Sequence, residues 1–254
     1  MIDTHAHIYL EEFDADRDAV VERAMEAGIE KIVLPNIDSA SIAAMLFLEQ
    51  AYPDIFHAAI GLHPTYVKEN FQEELDIIAA ALKRRDYIAI GEIGIDLYWD
   101  KTFLQEQIKV FQQQIEWALS YNKPIIIHLR DSFQEVMDSL APYKNSGLRG
   151  VFHSFGGSLE QAQAIIDFGG FLMGINGIVT FKNSGLADVV RQIDLKHILL
   201  ETDAPYLTPV PYRGKRNESA YMVYTANKLA EIYNTTLENI VSITTKNAKG
   251  LFDF

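Results

Sequence analysis

The feature that most constrains the fold is an eightfold alternation between short β-type stretches and longer stretches with helical periodicity. Several of the β-type stretches are continuous apolar runs, such as KIVLP and PIIIHL, which is typical of parallel strands covered on both faces. Eight such repeats in 254 residues predict an α/β fold, a closed (β/α)8 TIM barrel, with an open doubly wound sheet as the alternative. The predicted strands are Ile2–His7, Lys31–Pro35, Phe56–Leu62, Ile88–Ile95, Pro124–Leu129, Gly150–Ser154, Phe171–Ile175 and His197–Thr202.

Helices are indicated between these strands and after the last one. Asp14–Ala27 is amphipathic and is followed by Gly28, a residue type common just beyond a helix C-terminus. Apolar residues at steps of three and four between Leu104 and Leu119 predict a second helix. Asn217–Tyr233 and Leu237–Lys249 are predicted to be the closing helices.

Composition bounds the class of protein. The chain has no cysteine, which excludes disulfides and thiolate metal sites. It shows neither the pattern of a signal peptide nor an apolar run of about 18 residues, so we expect a cytoplasmic protein with no membrane association. No linker or shift in composition divides it, so we expect one domain over residues 1–254.

The chain carries 35 acidic and 22 basic residues, a formal charge of −13. A protein that grips many phosphates of a duplex is expected to present a basic face. The charge therefore argues against broad nucleic-acid binding, although a local site could supply its own positive charge.

Ionisable residues interrupt the apolar strands, and they do so at or near the strands' C-terminal ends. In a TIM barrel these ends converge on the face that carries the active site. Each residue alone has an ordinary structural explanation, but a chance gathering of so many at one end is a poor explanation of the whole set. The set consists of His5, His7, His63, Glu92, His128, His153 and Asp203.

Buried imidazoles and carboxylates are costly unless a partner satisfies them. Together they suit Zn, Mn, Fe, Co or Ni, and Mg where oxygen ligands are sufficient. Four histidines and two carboxylates exceed the needs of one tetrahedral ion, so two metals that share a carboxylate are the more natural prediction. The remaining histidines, His57 and His197, stand where strands begin, and we assign them to structure.

Six motifs, in order along the chain, resemble those of the TatD family of metal-dependent deoxyribonucleases. They are His5-Ala6-His7, GLHP at 61–64, GEIGID at 91–96, IIIHLRD at 125–131, FHSFGG at 152–157 and ETDAPYL at 201–207, and RGKRNE at 213–218 adds to the match. The HxH pair alone is a weak signal, whereas six spaced motifs covering nearly the whole chain are a strong one. One departure is Ser219, where family members often have proline, which puts the shape of the adjacent loop in question.

The resemblance implies an amidohydrolase-like TIM barrel with two divalent ions, Mg, Mn or Zn. It implies that one ion is held by His5, His7, Glu92 and Asp203, and the other by Glu92, His128 and His153. Glu92 stands where many amidohydrolase relatives have a bridging carboxylated lysine, which favours the TatD branch.

Substrate contacts are predicted outside the ligand set. His63 is expected to hold a phosphate with help from Arg130, and loops after strands seven and eight often bind phosphate in this fold. Arg213, Lys215 and Arg216 follow strand eight, and they are either such a site or a solvated turn. The tyrosines at 206 and 212 could stack on bases or lie on the surface.

The predicted reaction is hydrolysis of DNA phosphodiester bonds, with His63, Glu92 and Asp203 catalytic and Asp203 as general base. Glu201 is expected to orient a metal-bound histidine. The resemblance implies a 3′→5′ exonuclease acting on single-stranded ends. The alternatives are a two-metal hydrolase of small esters or amides, a deacylase of mischarged tRNA, and a metal-binding barrel without catalysis.

Overall fold

In the computed structural model, which describes residues 1–254, eight strands alternate with helices along the chain. The strands are β1 (Ile2–Asp3), β2 (Lys31–Pro35), β3 (Phe56–Ala59), β4 (Ile90–Asp96), β5 (Ile125–Arg130), β6 (Gly150–Phe152), β7 (Phe171–Ile175) and β8 (Ile198–Leu200). The helices are α1 (Arg17–Glu26), α2 (Ile42–Ala51), α3 (Phe71–Leu82), α4 (Leu104–Ser120), α5 (Phe133–Leu140), α6 (Leu159–Phe168), α7 (Leu186–Val190), α8 (Met222–Tyr233) and α9 (Leu237–Phe252).

All neighbouring strands pair in parallel, and the sheet closes on itself. β1, β2 and β3 form one hydrogen-bonded sheet, and β4 to β8 form a second. Parallel bridges between Ile60 and Ile90 and between Ala6 and Ala204 join the two sheets at both edges. The predicted (β/α)8 barrel is confirmed, and the open doubly wound sheet is wrong.

Strand alternation decides which side chains point into the barrel. In β5, Ile125 and Ile127 join the main core, whereas Ile126 joins a second apolar cluster. This second cluster takes residues from strands all around the barrel, together with Leu251 and Phe252 of α9, so it fills the barrel interior. Because side chains two apart point the same way, His128 lies on the inner side one step nearer the C-terminal end.

The first strand is shorter than the predicted Ile2–His7. β1 ends at Asp3, and His5 and His7 lie on an irregular segment beyond it. That segment stays beside its neighbours through the Ala6–Ala204 bridge and a hydrogen bond from the His7 amide to the Ala204 carbonyl, 2.7 Å long. His5 and His7 flank the bridged Ala6, and their Nε2 atoms come within 3.1 Å of each other.

Two glycines allow close packing beside the barrel's C-terminal face. Gly94 has φ +145°, and a Cβ there would collide with the His128 carbonyl, so glycine keeps β4 tight against β5. At Gly174 in β7, a Cβ would collide with the Glu201 carboxylate. Both glycines thus make room for groups that prove to belong to the site.

The helices follow the sequence pattern with small shifts at their ends. α1 begins at Arg17 rather than at Asp14, and Gly28 lies just past its end with φ +81°. The closing helix predicted from Asn217 begins at Met222, after a 3₁₀ turn at Ser219–Tyr221. None of the helices combines the length and the apolar character needed to cross a bilayer.

Candidate metal centre

A cavity of about 700 Å³ opens at the C-terminal ends of the strands. Ionisable side chains form its floor and aromatic side chains stand at its sides. Among the residues that line it are His7, His63, Glu92, Asp96, His128, Arg130, His153 and Asp203, with Tyr66, Trp99 and Tyr206. His5 is fully buried directly behind this floor.

Glu92 is the centre of the cluster because its two carboxylate oxygens face different groups of histidines. Its Oε2 lies 3.1 Å from His5 Nε2 and 3.6 Å from His7 Nε2. Its Oε1 lies 2.9 Å from His128 Nδ1 and 3.4 Å from His63 Nε2. A carboxylate with one oxygen directed to each side is the arrangement that a bridging metal ligand requires.

The first group gathers around His5 and His7. Their Nε2 atoms lie 3.1 Å apart, and Asp203 Oδ1 lies 3.8 and 3.7 Å from them. Asp203 stands in the left-handed region with φ +58°, a conformation that aspartate adopts more readily than most residues. Its amide donates to the His5 carbonyl at 2.9 Å, so the segment after β8 is tied to the HxH segment.

Tyr9 fixes the orientation and the tautomer of His7, a role that the sequence did not reveal. Its hydroxyl donates to the Pro35 carbonyl at 2.7 Å, so it accepts the bond from His7 Nδ1 at 3.0 Å. A neutral imidazole that carries its proton on Nδ1 presents a lone pair on Nε2. His7 therefore faces Glu92 and Asp203 with a nitrogen suited to bind metal.

His153 lies against the first group. Its ring stacks on His5 with centroids 3.4 Å apart, and its Nε2 lies 3.6 Å from Asp203 Oδ1. Glu201 Oε1 lies 3.0 Å from its Nδ1, as expected for a carboxylate that orients a histidine. The resemblance implies a grouping of His153 with His128, whereas in this structure His153 lies against His5 and Asp203.

His128 occupies the other side of Glu92 and lies between two carboxylates. Its Nε2 lies 2.8 Å from Asp96 Oδ2, and its Nδ1 faces Glu92. Sequence reasoning missed Asp96, although it closes the GEIGID motif. The sequence could have indicated Asp96, because it lies four residues after Glu92 in β4 and side chains four apart on a strand point to the same side.

His63 stands beside His128 but in a different protonation pattern. The amide of Thr65 donates to His63 Nδ1 at 3.2 Å, which places the ring proton on Nε2, the atom that faces Glu92. Distance alone would allow His63, Glu92 and His128 to form a ligand group. The tautomer instead makes His63 a hydrogen-bond donor toward the cavity, which suits the predicted phosphate contact.

Burial controls the protonation of the cluster. It lowers the pKa of His5 and brings the pKa of His7 to about 4, so both rings are neutral at pH 7. Burial, together with the charge of Glu92, raises the pKa of Asp203 to about 7. Burial alone would lower the pKa of His153, but Glu201 and Asp203 outweigh it and raise that pKa to about 10.

The donor set fits divalent metal. Neither Glu92 nor Asp203 forms an ion pair with a lysine or an arginine, and only imidazoles surround them. Such carboxylates need a cation, which would displace protons from the cluster as metal binding does. Three overlapping ligand groups lie within reach of an ion, each with atoms within 4.8 Å of one another: His5, Glu92 and His153; His5, His7 and Asp203; His63, Glu92 and His128.

The predicted basic residues differ in how available they are. Arg130 lines the cavity and forms no ion pair. Arg216 does not line it, because its guanidinium donates to both carboxylate oxygens of Asp16, at 2.7 and 2.8 Å, and to the Glu12 carbonyl. These interactions take up three of the five N–H donors of Arg216, so phosphate binding by Arg216 stays a prediction with only two donors left for it.

The rest of the basic loop also lies outside the cavity lining. The guanidinium of Arg213 stacks 4.3 Å above the ring of Phe181, and Lys215 Nζ lies 5.8 Å from the ring of Tyr212. Tyr212 itself stacks on Tyr221 with centroids 4.5 Å apart, whereas Tyr206 does line the cavity. Phosphate binding by Arg213 and Lys215 stays a prediction.

The two remaining histidines lie away from the cluster. The ring of His57 lies 5.0 Å from that of Phe254, and its Nε2 lies 3.1 Å from Lys31 Nζ. His197 ends the 3₁₀ turn that precedes β8. Neither residue belongs to a group that could hold a metal, as the sequence position predicts.

A closed barrel with imidazoles and carboxylates at its C-terminal face is the architecture of amidohydrolase-like metal-dependent hydrolases. A family model described as TatD related DNase matches residues 2–253, so the chain belongs to the TatD family. It is 40% identical over 253 residues to the uncharacterized metal-dependent hydrolase YabD of Bacillus subtilis, covering 99% of this chain and 98% of that protein.

Two further comparisons agree with this assignment. The chain is 32% identical to the 3′-5′ ssDNA/RNA exonuclease TatD of Salmonella typhimurium, covering 100% of this chain and 99% of that protein. The crystal structure of YjjV, a TatD homologue from Escherichia coli, superposes with a TM-score of 0.93 at 31% identity, covering 100% and 98% of the two chains. The protein is therefore a metal-dependent hydrolase of the TatD family.

Proposed function

We propose that this hydrolase cleaves DNA phosphodiester bonds and removes nucleotides from the 3′ end of single strands. The observation that carries the proposal is the Glu92-centred cluster on the floor of a 700 Å³ cavity, with His63 and Arg130 beside it. A cavity of this volume encloses a ligand of nucleotide size but not an uninterrupted duplex.

We infer that Glu92 would be a ligand shared by two divalent-ion sites. His5, His7 and Asp203 would hold one ion with Glu92, and His128 would hold the other; His153 lies with the first group in this structure. When bound, Mg, Mn or Zn supplies Lewis-acid activation of the phosphoryl group and lowers the pKa of water.

The chain's own residues position the substrate and move the proton. His63 donates from Nε2 to a nonbridging phosphate oxygen, and the guanidinium of Arg130 neutralises charge on the phosphate. Asp203 takes the proton of the attacking water as general base. Its side chain is 14% exposed whereas that of Glu92 is 3% exposed, so Asp203 is the carboxylate that a water in the cavity can reach.

Charge and similarity both favour a single-stranded end. The net charge of −13 argues against a long basic surface along which a DNA backbone could bind. The Salmonella typhimurium relative, at 32% identity, is named a 3′-5′ ssDNA/RNA exonuclease. A strand end needs only the few cationic groups that the cavity itself provides.

A small ester or amide is the competing substrate class, with the ester of a mischarged tRNA as a further member. The observation in its favour is that Arg213, Lys215 and Arg216 do not line the cavity. A substrate that fits entirely inside the cavity would make no use of that loop.

The deciding experiment combines metal analysis with a substrate panel. Purified protein is assayed with end-labelled single- and double-stranded oligonucleotides, an aminoacyl-tRNA, and a series of small esters. We expect about two divalent ions per chain and stepwise shortening from the 3′ end, faster on single strands. A bulky 3′ block should stop digestion, and a 5′ block should delay only its final steps. Ester hydrolysis without loss of nucleotides would overturn the proposal.

A further inference from the structure

An exposed tryptophan stands at the wall of the cavity. Trp99 lies in the loop between β4 and α4, and it lines the cavity although its side chain is 69% exposed. Its neighbour Tyr98 is 54% exposed and meets it edge to face, with centroids 4.9 Å apart. An exposed apolar patch that is rimmed by polar residues marks a ligand-binding groove more often than a single exposed ring does, and Tyr98 and Trp99 form such a patch beside the cavity.

Arg130 completes the group. Its guanidinium lies 3.8 Å from the centroid of Tyr98 and 5.4 Å from that of Trp99, and no carboxylate pairs with it. Aromatic rings that hold a guanidinium leave its N–H edge free to donate to an anion. A flat apolar surface and a free cation therefore lie side by side.

Asp96 ties this group to the metal centre. Its Oδ1 accepts hydrogen bonds from the amides of Tyr98 and Trp99, at 3.0 and 3.1 Å. Its Oδ2 faces His128 Nε2 at 2.8 Å. One carboxylate thus sets both the orientation of a candidate metal ligand and the course of the loop that carries the aromatic residues.

We propose that Trp99 and Arg130 form a base-binding subsite, in which an unpaired nucleobase next to the scissile phosphate stacks on Trp99 while Arg130 holds the adjoining phosphate. This inference rests on the proposed nuclease function and specifies how the substrate end is positioned. Stacking needs a base that is free of its partner strand, so the subsite would select single-stranded ends without reading sequence.

The kinetic test removes the Trp99 side chain and the terminal base, first separately and then together. Trp99→Ala should raise KM for a single-stranded oligonucleotide about tenfold, because stacking one base on an aromatic ring is commonly worth that much. Replacing the terminal base by an abasic residue should cost the unmodified enzyme about the same factor. The two changes together should cost no more than either alone, since both remove the same stacking interaction.

Two control variants separate this role from general damage. Trp99→Phe keeps an aromatic face and should recover most of the affinity. Phe47→Ala removes an aromatic side chain on α2 that is 73% exposed and lies outside the cavity lining, and it should change nothing. Equal losses for the Phe and Ala substitutions at Trp99 would contradict stacking.

Fluorescence provides a readout that does not depend on turnover. The chain has two tryptophans, so Trp117→Phe leaves Trp99 as the single emitter. Chelator-treated protein is titrated with a tetranucleotide and with its abasic counterpart of equal charge. Quenching by the tetranucleotide, with about tenfold weaker binding of the abasic strand, is the expected result.

The outcomes separate the two proposals. Normal digestion of oligonucleotides by Trp99→Ala, without coupling to the terminal base, would overturn the subsite and leave the nuclease function standing. Failure of the unmodified enzyme to digest any oligonucleotide would overturn the nuclease function. The fluorescence titration then still decides the subsite, because absence of quenching overturns it and base-dependent quenching supports it.

Discussion

The two ends of the barrel use the same residue types for different purposes. At the C-terminal end, five of the seven histidines surround Glu92 and Asp203 at distances of 2.9 to 3.8 Å. Away from that end, Leu251 and Phe252 of α9 fill the barrel interior together with inward residues such as Ile126. His57 lies beside Lys31 and Phe254, His197 lies near Lys196 and Asp194, and neither belongs to a group that could hold a metal.

The comparison shows that the start of each strand contributes to packing and stability, whereas its C-terminal end contributes to the site. An inward position near a strand's start is filled by an apolar side chain, and one nearer its end carries a ligand, as Ile126 and His128 do within β5. Burying carboxylates and imidazoles costs free energy that hydrogen bonds, charge partners or a bound cation must offset. Four sets of substitutions test this division, and they follow in order of decreasing effect.

Glu92→Ala should abolish hydrolysis and reduce metal content while leaving the fold intact. In the proposed site Glu92 would be a ligand of both ions, so its loss should release metal. Losing the metal should remove several kcal/mol of transition-state stabilisation, a rate loss of about 1,000-fold or more. His128→Ala should behave in the same way. Activity, metal content and circular dichroism are measured together.

Glu49→Ala is the matched control, because Glu49 is also a shielded carboxylate but pairs with Arg85 outside the site. It should keep full metal content. A folded Glu92→Ala enzyme with near-normal activity would end the two-metal interpretation and with it the contrast between the barrel ends.

Asp96→Asn should lower activity and metal affinity by about 10- to 100-fold, the range found when a partner that orients a metal-bound histidine is changed. Asp100→Asn is the control, since Asp100 is an exposed residue of the same loop, paired with Lys68. If both variants kept full activity, His128 would not need its carboxylate partner.

The basic loop tests how far the site extends beyond the cavity. Arg213→Ala with Lys215→Ala should raise KM for oligonucleotides a few-fold while kcat stays constant, because interactions distant from the reacting atoms contribute uniform binding. The log–log salt dependence should become shallower by about 0.7 for each phosphate that the loop no longer neutralises. Unchanged kinetics would assign both residues to a solvated turn.

Arg216→Ala serves as the comparison within the same loop. Its guanidinium already pairs with Asp16, so we expect no change in KM and a loss of stability of at most about 1 kcal/mol, as for other partly exposed ion pairs.

The barrel and the cluster were predictable because the periodicity of apolar residues and the positions of the strand ends can be read directly from the sequence. Apolar runs of fixed spacing predict the strands, and strand ends predict which ionisable residues meet. The division of those residues around Glu92 was not predictable, since it depends on ring orientations set by remote partners. Tyr9 bonds to His7, an interaction that spacing does not reveal. Glu201 was expected to orient a histidine, but spacing did not show that this histidine is His153.

The loops were predicted least well, for a related reason. The charge density in RGKRNE indicated phosphate binding. Arg216 instead pairs with Asp16, which is 200 residues away along the chain. Trp99 gave no pattern at all, because its role depends on its lying beside Arg130 and above a cavity. Pairings between distant residues require the folded chain.

The smallest effects are expected at His57 and His197. His57→Gln and His197→Gln should each change activity less than about threefold, as most substitutions away from special sites do.

His57 offers a further measurement, because burial and the neighbouring charge of Lys31 lower its pKa from 6.5. The folded state therefore favours the neutral ring, and the unfolded chain binds a proton first as the pH falls. The stabilisation that this preference gives is complete above pH 6.5 and is lost as the pH falls toward the folded pKa. His57→Gln removes the titrating group, so between pH 7.5 and pH 5 the variant should lose slightly less stability than the parent, measured as urea midpoints. A large catalytic loss at either position would mean that the histidines away from the C-terminal face also serve the reaction, and the division between the two ends of the barrel would fail.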